Sequence, residues 1–191
     1  SSRSKINFFG RANSAIWTIA SYLKKRTEKR TIILPSTMCI SPSIIFLVNG
    51  FKLLFIDVEK KNGLLNIKKT KKQIKKNHDI AAIFYVNLFG NKDTEASQLK
   101  KIKDILVIQD LAQTFLNKKN YNKSDIFGDM IILSFGYSKI FDLNHGGVIL
   151  SDNYDFYNYA IKFDKKIKNN KVSDIAKSKY LNWYNEVVEK K

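Results

Sequence analysis

Lys139, in SFGYSK, stands just past the apolar run MIILSF, which reads as a buried strand, and a second apolar run, GGVILS, begins a few residues later. A lysine delivered on a turn between two core strands differs from the others, which cluster in KKRTEKR, KKTKKQIKK and KKIKNNK. Asp110 closes another apolar run, DILVIQD, so a carboxylate and an amine can face one pocket at a sheet edge. Read as structure alone, the two form a salt bridge. Read as chemistry, they match what pyridoxal phosphate (PLP) requires: a lysine to form an imine, a carboxylate to keep the ring nitrogen protonated, and donors for a phosphate. Ser134 can supply one such donor, and a helix start at Asn13 and Ser14, just after Gly10, supplies free N–H groups and a favourable dipole.

The elements that must position these residues alternate along the chain. Residues 13–25 place Ala15, Ile16, Ile19, Ala20 and Leu23 at helical spacing, with Asn13 or Ser14 as the cap. TIILP (31–35) is a strand stopped by proline. ISPSIIFLVNG (40–50) is a helix capped by Ser41, with Pro42 in its first turn and Gly50 past its end. FKLLFIDV (51–58) is a strand, and 67–76 a helix with lysines on its wet side. IAAIFYV (80–86) is a nearly unbroken apolar strand, 94–103 a helix with Leu99 and Ile102 inward, and 104–110 the strand ending at Asp110. MIILSF and GGVILS read as further covered strands. Residues 152–191 read as two helices, with Tyr180, Trp183, Tyr184 and Val187 near helical spacing in the second. Strands separated by helices imply a three-layer α/β/α domain with a mostly parallel sheet, whose functional groups gather at the strands' carboxyl ends. That edge holds residues 35–39, Asp57, Asn87, 110–113 and 134–139.

With 191 residues, 44% of them hydrophobic, the chain can bury a sizeable core. Its 34 Lys plus Arg against 17 Asp plus Glu give a net charge of +17, which raises nucleic acid as a partner. The lysine runs are not interleaved with stacking aromatics, so solvated helix faces account for them and nucleic-acid binding is not expected. The single cysteine, Cys39, excludes an intrachain disulfide and points to a reducing compartment, the cytoplasm. No apolar run approaches the roughly eighteen residues of a membrane span, and SSRSKINFFG lacks the apolar centre of a secretory signal. The two histidines, His78 and His145, have no credible metal-ligand spacing.

In order along the chain, GRANSAI, ILPSTMC, a glycine followed by FIDV, FYVNLFGN, IQDLAQ, and SFGYSK followed by HGG form a set. With it the chain, over about residues 8–151, resembles the DegT-type family of PLP-dependent (fold type I) sugar aminotransferases, whose fold is that of aspartate aminotransferase. D-x-A-Q followed by S-F-x-x-x-K is the specific part of this resemblance. It implies that Lys139 is the Schiff-base lysine and Asp110 the partner of the pyridine nitrogen. Ala112 would pack on the ring, Gln113 reach its hydroxyl region, and Ser134, Asn13 and Ser14 hold the phosphate. The activity implied is transfer of an amino group from an amino acid, commonly glutamate, to a nucleotide-linked keto-sugar, with a homodimer as the working unit. Lys139 would carry the proton between carbon centres. Relatives that use PLP for dehydration commonly replace this lysine by histidine, so its presence favours transamination.

The resemblance also marks departures. Near Cys39 the family often has an aromatic residue covering the ring, so Cys39 is either a cofactor contact or a buried small residue. His145 stands where relatives often carry glutamate, and His78 reads as exposed. The domain division expected is a PLP-binding large domain over 1–151 and a helical segment over 152–191, in which the family's small domain is not recognisable. A second function therefore stands beside the first: a catalytically incomplete aminotransferase-like domain that acts by binding a partner or nucleotide-sugar.

Overall fold

The computed structural model describes residues 5–114 and 122–168. By internal contacts the chain divides into two units, Ser1–Ala160 and Ile161–Lys191; in the second, the described part is the end of one helix. The second C-terminal helix expected from sequence, with Tyr180, Trp183, Tyr184 and Val187, lies outside the described residues.

The first unit is built on a seven-stranded sheet. Its strands are β1 (Lys5–Phe9), β2 (Thr31–Pro35), β3 (Lys52–Ile56), β4 (Ile80–Val86), β5 (Leu106–Asp110), β6 (Met130–Ser134) and β7 (Gly147–Ser151). They lie in the order β1-β7-β6-β5-β4-β2-β3. From β3 through β6 all neighbours are parallel, whereas β7 is antiparallel to both β6 and β1. The helices are α1 (Ala12–Arg26), α2 (Ile40–Val48), α3 (Ile67–Lys76) and α4 (Tyr154–Lys168).

Strand periodicity splits the core into two layers. Ile32, Leu34, Ala82, Phe84, Ile108, Met130 and Ile132 point to the face covered by α1, α2 and the start of α4, where Ile19, Leu23, Phe46 and Phe156 meet them. Ile33, Ile83, Tyr85 and Val107 point the other way, onto Ile67 of α3 and onto Ala96 and Leu99. The expected three-layer architecture is therefore present, and β4, covered on both faces, is apolar throughout.

Local details differ from the sequence reading for physical reasons. Lys5–Phe9 is an unexpected strand: it buries Asn7 and exposes Ile6 and Phe8, so its pattern runs against a simple apolar alternation. The segment read as a helix over 94–103 forms only a 3-10 helix, Ala96–Lys101, with Leu99 buried as expected. The last covered strand, β7, runs against the rest of the sheet. Helix α2 begins at Ile40 with Cys39, not Ser41, in the cap position. Its end is as read: Gly50, at φ 88, lets its own N–H reach Leu47 O and that of Phe51 reach Phe46 O.

Candidate active site

Asp110 is the last residue of β5, with β4 on one side and β6 on the other. Its carbonyl accepts from Asn87 N (3.0 Å), and the following N–H, of Leu111, donates to Ile132 O (2.9 Å). Among the described residues the carboxylate accepts one hydrogen bond, from Ala112 N at 2.8 Å. Burial pushes the carboxyl above its ordinary range, while the Ala112 N–H and the charge of Lys139 pull it back only in part. The site thus holds a carboxylate short of positive charge, and Lys139 is the cation that acts on it.

Lys139 is half-buried on the loop joining β6 to β7. That loop is closed by Phe135 N to Gly146 O (3.1 Å) and Leu143 N to Phe135 O (2.9 Å), and the lysine's own N–H turns back to Gly136 O (3.2 Å). Asp142 fastens it from inside, accepting from Ser138 N at 3.0 Å and Asn144 N at 2.8 Å. Both donors sit at positive φ, 64° and 63°, so the carboxylate holds two left-handed turns in place on either side. Asp142 escapes a reading by sequence alone because nothing in FDLNHGG distinguishes it from a solvated turn residue.

Ser134 ends β6 and pairs with Gly147 across the β6–β7 ladder. A side chain at Gly147 would come within 2.5 Å of Ala12 N, so α1 starts directly against this point. Gly146 N donates to Gly10 O at 2.7 Å, tying the entrance of α1 to the same spot. The cap of α1 is Arg11, with no side-chain hydrogen bond, and Asn13 and Ser14 lie exposed inside the first turn. Neither is the cap read from sequence; tertiary contact with the paired glycines sets the start instead. The outcome for an anion is the same, a helix N-terminus without a side-chain cap beside Ser134.

Ala112 and Ser134 line one cavity of about 100 Å3, together with Leu111, Thr114, Leu133 and Phe135. Gln113 follows, and its Oε1 is buried with no hydrogen-bond partner among the described residues. The structure thus gathers Asp110, Ala112, Ser134, Lys139 and the start of α1 at one edge. Cys39 is exposed at the head of α2, with Sγ 3.7 Å from Ser41 Oγ, so the expectation of a buried small residue is corrected. His78 and His145 are both exposed. Among the described residues no three His, Cys, Asp or Glu side chains form a metal-holding group, and no helix is long and apolar enough to cross a membrane.

A larger cavity, about 610 Å3, lies at the opposite edge, by Ala81, Leu106 and Asp129 at the amino ends of β4, β5 and β6. Its lysines are engaged, Lys100 Nζ standing 3.9 Å from Asp129 Oδ1 and Lys29 Nζ donating to the backbone O of Asp104 at 3.3 Å, and it offers neither the helix start nor the strand-end lysine. Size alone does not make it the site.

A model of the DegT/DnrJ/EryC1/StrS aminotransferase family matches residues 13–180. GDP-perosamine synthase of Escherichia coli O157:H7 is 24% identical over 139 residues, covering 72% of this chain and 38% of that protein. GDP-4-keto-6-deoxy-D-mannose 3-dehydratase of Yersinia pseudotuberculosis is 25% identical over 154 residues, covering 78% and 39%. The chain spans about two fifths of the length of these curated relatives. Among solved structures, a Helicobacter pylori aminotransferase involved in the biosynthesis of pseudoaminic acid superposes with a TM-score of 0.70 at 18% identity, over 82% of this chain and 42% of that one. The E. coli GDP-4-keto-6-deoxy-D-mannose-3-dehydratase with bound hydrated PLP gives 0.69 at 22% identity, over 82% and 41%. These structural likenesses speak to the fold. The family match spans most of the sequence, and the chain belongs to the DegT/DnrJ/EryC1/StrS aminotransferase family.

Proposed function

We propose that this chain carries the cofactor site of a PLP-dependent aminotransferase that moves an amino group from an amino acid, with glutamate as the donor to try first, to a nucleotide-linked keto-sugar. The observation that carries the reading is the Asp110 carboxylate, held at a strand end, raised by burial and acted on by Lys139. A protonated ring nitrogen is the kind of partner such a carboxylate lacks. The buried Oε1 of Gln113, without a partner among the described residues, and the start of α1 beside Ser134, whose cap residue makes no side-chain hydrogen bond, fit the same ligand. When bound, PLP supplies the electron sink that amine transfer needs.

In this reading Asp110 holds the ring nitrogen, Ala112 packs on the ring, and Gln113 takes the ring's oxygen substituent. Ser134 and the first turn of α1, at Asn13 and Ser14, hold the phosphate. Lys139 Nζ would hold the cofactor's aldehyde end, and its amine is the group placed to move a proton between carbon centres. Cys39 stands at the head of α2, after the carboxyl end of β2, where it would contact the ring. The printed names of the two sequence relatives are both of GDP-linked sugar enzymes, which supports the substrate class. One of them is a dehydratase; a lysine at position 139 supports transamination here.

A homodimer fits the exposed apolar residues of α2 (Ile40, Ile44, Leu47, Val48) and of the lysine loop (Tyr137, Ile140, Phe141, Leu143). The cytoplasm fits a chain whose one cysteine is an exposed free thiol. A second reading, a binding module without turnover, is favoured by the cavity between Ala112 and Ser134. At about 100 Å3 it is well below the roughly 300 Å3 at which small-molecule pockets begin.

The test is to add PLP to the purified chain, record its absorbance, reduce with borohydride and map the labelled peptide. Label on Lys139 together with amino transfer from glutamate is the expected result. Label on another lysine would overturn the assignment, and label on Lys139 without turnover would favour the binding module.

A further inference from the structure

Gln109 immediately precedes Asp110 and is fully buried, on the face of β5 that carries Val107 into an apolar cluster. An apolar residue would suit that environment, yet the side chain here is a carboxamide whose hydrogen-bonding capacity is fully used. Phe127 N and Gly128 N both point at one of its atoms, at 2.9 and 3.0 Å, which identifies that atom as Oε1. Nε2 then donates to Asn87 Oδ1 at 2.9 Å and to Asp125 O at 2.8 Å. A Cβ at Gly128 would lie 2.6 Å from Gln109 Cβ, so glycine is what lets the crossover between β5 and β6 pass this close.

The bond to Asn87 leads back to the site. Asn87 N donates to Asp110 O at 3.0 Å, and Asn87 O accepts from Thr114 Oγ1 at 3.2 Å. Asn87 Nδ2 is itself anchored on Asn91 O at 3.0 Å. One backbone unit therefore holds both ends of the segment that displays Asp110, Ala112 and Gln113. We infer that Gln109 is a positioning residue: its carboxamide locks Asn87, and Asn87 clasps residues 110 and 114 so that this segment keeps its place at the sheet edge. The inference rests on the PLP reading for what the segment holds, but the clasp belongs to the chain with or without a cofactor.

The test has two arms, both on the full chain. In the first, amide hydrogen exchange is followed without cofactor. Gln109→Leu and Asn87→Ala are expected to speed exchange at Leu111 and Thr114 at least tenfold while Ile149 and Val148 stay within twofold. In the second, PLP is titrated. Both variants are expected to weaken binding at least tenfold, whereas Val107→Ala, on the same face of β5 with an apolar side chain, stays within twofold even where it melts earlier. Gln109→Glu separates the two halves of the clasp: it keeps the acceptor side toward Phe127 and Gly128, loses the donation to Asn87, and is expected to loosen Thr114. If Gln109→Leu does not fold, Asn87→Ala carries the same comparison. Unchanged exchange at Leu111 and Thr114, or an equal loss of PLP in Val107→Ala, would overturn the inference. A wild-type chain that takes up no PLP would count against the functional reading instead, and the exchange arm would still decide the clasp.

Discussion

Gly147→Ala is the sharpest test of how the helix N-terminus is set against the sheet. A Cβ at this position would stand 2.5 Å from Ala12 N, 2.7 Å from Ala12 Cα and 2.7 Å from Arg11 C, where ordinary contact begins at 3.4 Å. All three neighbours are backbone atoms, so no side chain can rotate away. The strand cannot yield easily either, because Gly147 is paired with Ser134 on one side and with Phe9 on the other. Relief requires the start of α1 to retreat by about 0.9 Å, the step from 2.5 to 3.4 Å. Overpacking of this kind costs about 1–3 kcal/mol, and for a chain of this size each kcal/mol lowers the melting temperature by about 2–4 °C. We therefore expect a loss of about 2–12 °C in thermal unfolding followed by circular dichroism. If α1 also holds the phosphate, one weakened charge-assisted hydrogen bond, about 1.5–3 kcal/mol, lowers PLP affinity at least tenfold. Gly10→Ala is the control, since a Cβ there meets nothing within 4 Å and its φ is not positive. A Gly147→Ala melting point within 1 °C of wild type, or an equal loss in the control, would refute the reasoning.

Asp110→Asn keeps the acceptor for Ala112 N but removes a charge that burial disfavours. Because the folded carboxyl is raised, the native state binds its proton more tightly than the unfolded chain. The associated stability is full below the unfolded value and is lost as pH rises through the folded one. The cofactor-free variant should therefore be more stable than wild type at pH 7, by on the order of 1 kcal/mol, with the gain fading in acid and, on the proposed function, amino transfer abolished; equal denaturation midpoints at pH 7 would count against this. Asp79 is the opposite case, held below its usual range by Arg30 N and Thr31 Oγ1 at 2.8 Å each. Its contribution is present above the unfolded value and lost as pH falls, so Asp79→Ala should cost, after solvent screening, only about 0.5 kcal/mol at pH 7 and less near pH 2 in urea titrations. Asp142→Ala, at an exposed position, should leave stability within about 0.5 kcal/mol yet slow borohydride-trappable labelling of Lys139 several-fold, a split that equal labelling rates would exclude.

What was legible in the sequence, and what was not, follows from how local each signal is. IAAIFYV, LVIQD and MIILS are apolar because the sheet covers them on both faces, and that reads directly as strand. KINFF hides its strand because at the antiparallel edge the polar Asn7 is inside and Phe8 outside. Asn13 and Ser14 look like caps by residue type, yet the helix starts where Gly147 admits Ala12, a contact made by residues far apart in the chain. Asp110 and Lys139 could be singled out because strand ends are visible in the pattern. Asn87 falls at the same edge by the same rule, but Gln109 and its bond to Asn87 could not be read, because that role lies in bonds across three connections; the one local hint is Gly128, a glycine with no turn to make.

The direction of β7 matters most for Lys139. Two covered apolar runs in succession suggest parallel strands, and a parallel β7 would begin at the amino edge, taking its paired glycines away from Asp110. Because β7 runs antiparallel to β6, the connection leaves and re-enters the sheet at one edge, with Phe135 N bonded to Gly146 O at its base. That single reversal keeps the lysine loop beside Asp110 and delivers Gly147 next to Ser134, where α1 starts. The amine, the carboxylate and the candidate phosphate site are therefore brought to one edge by the sheet's topology before any side chain is chosen. Side-chain identity then decides only what chemistry that edge performs.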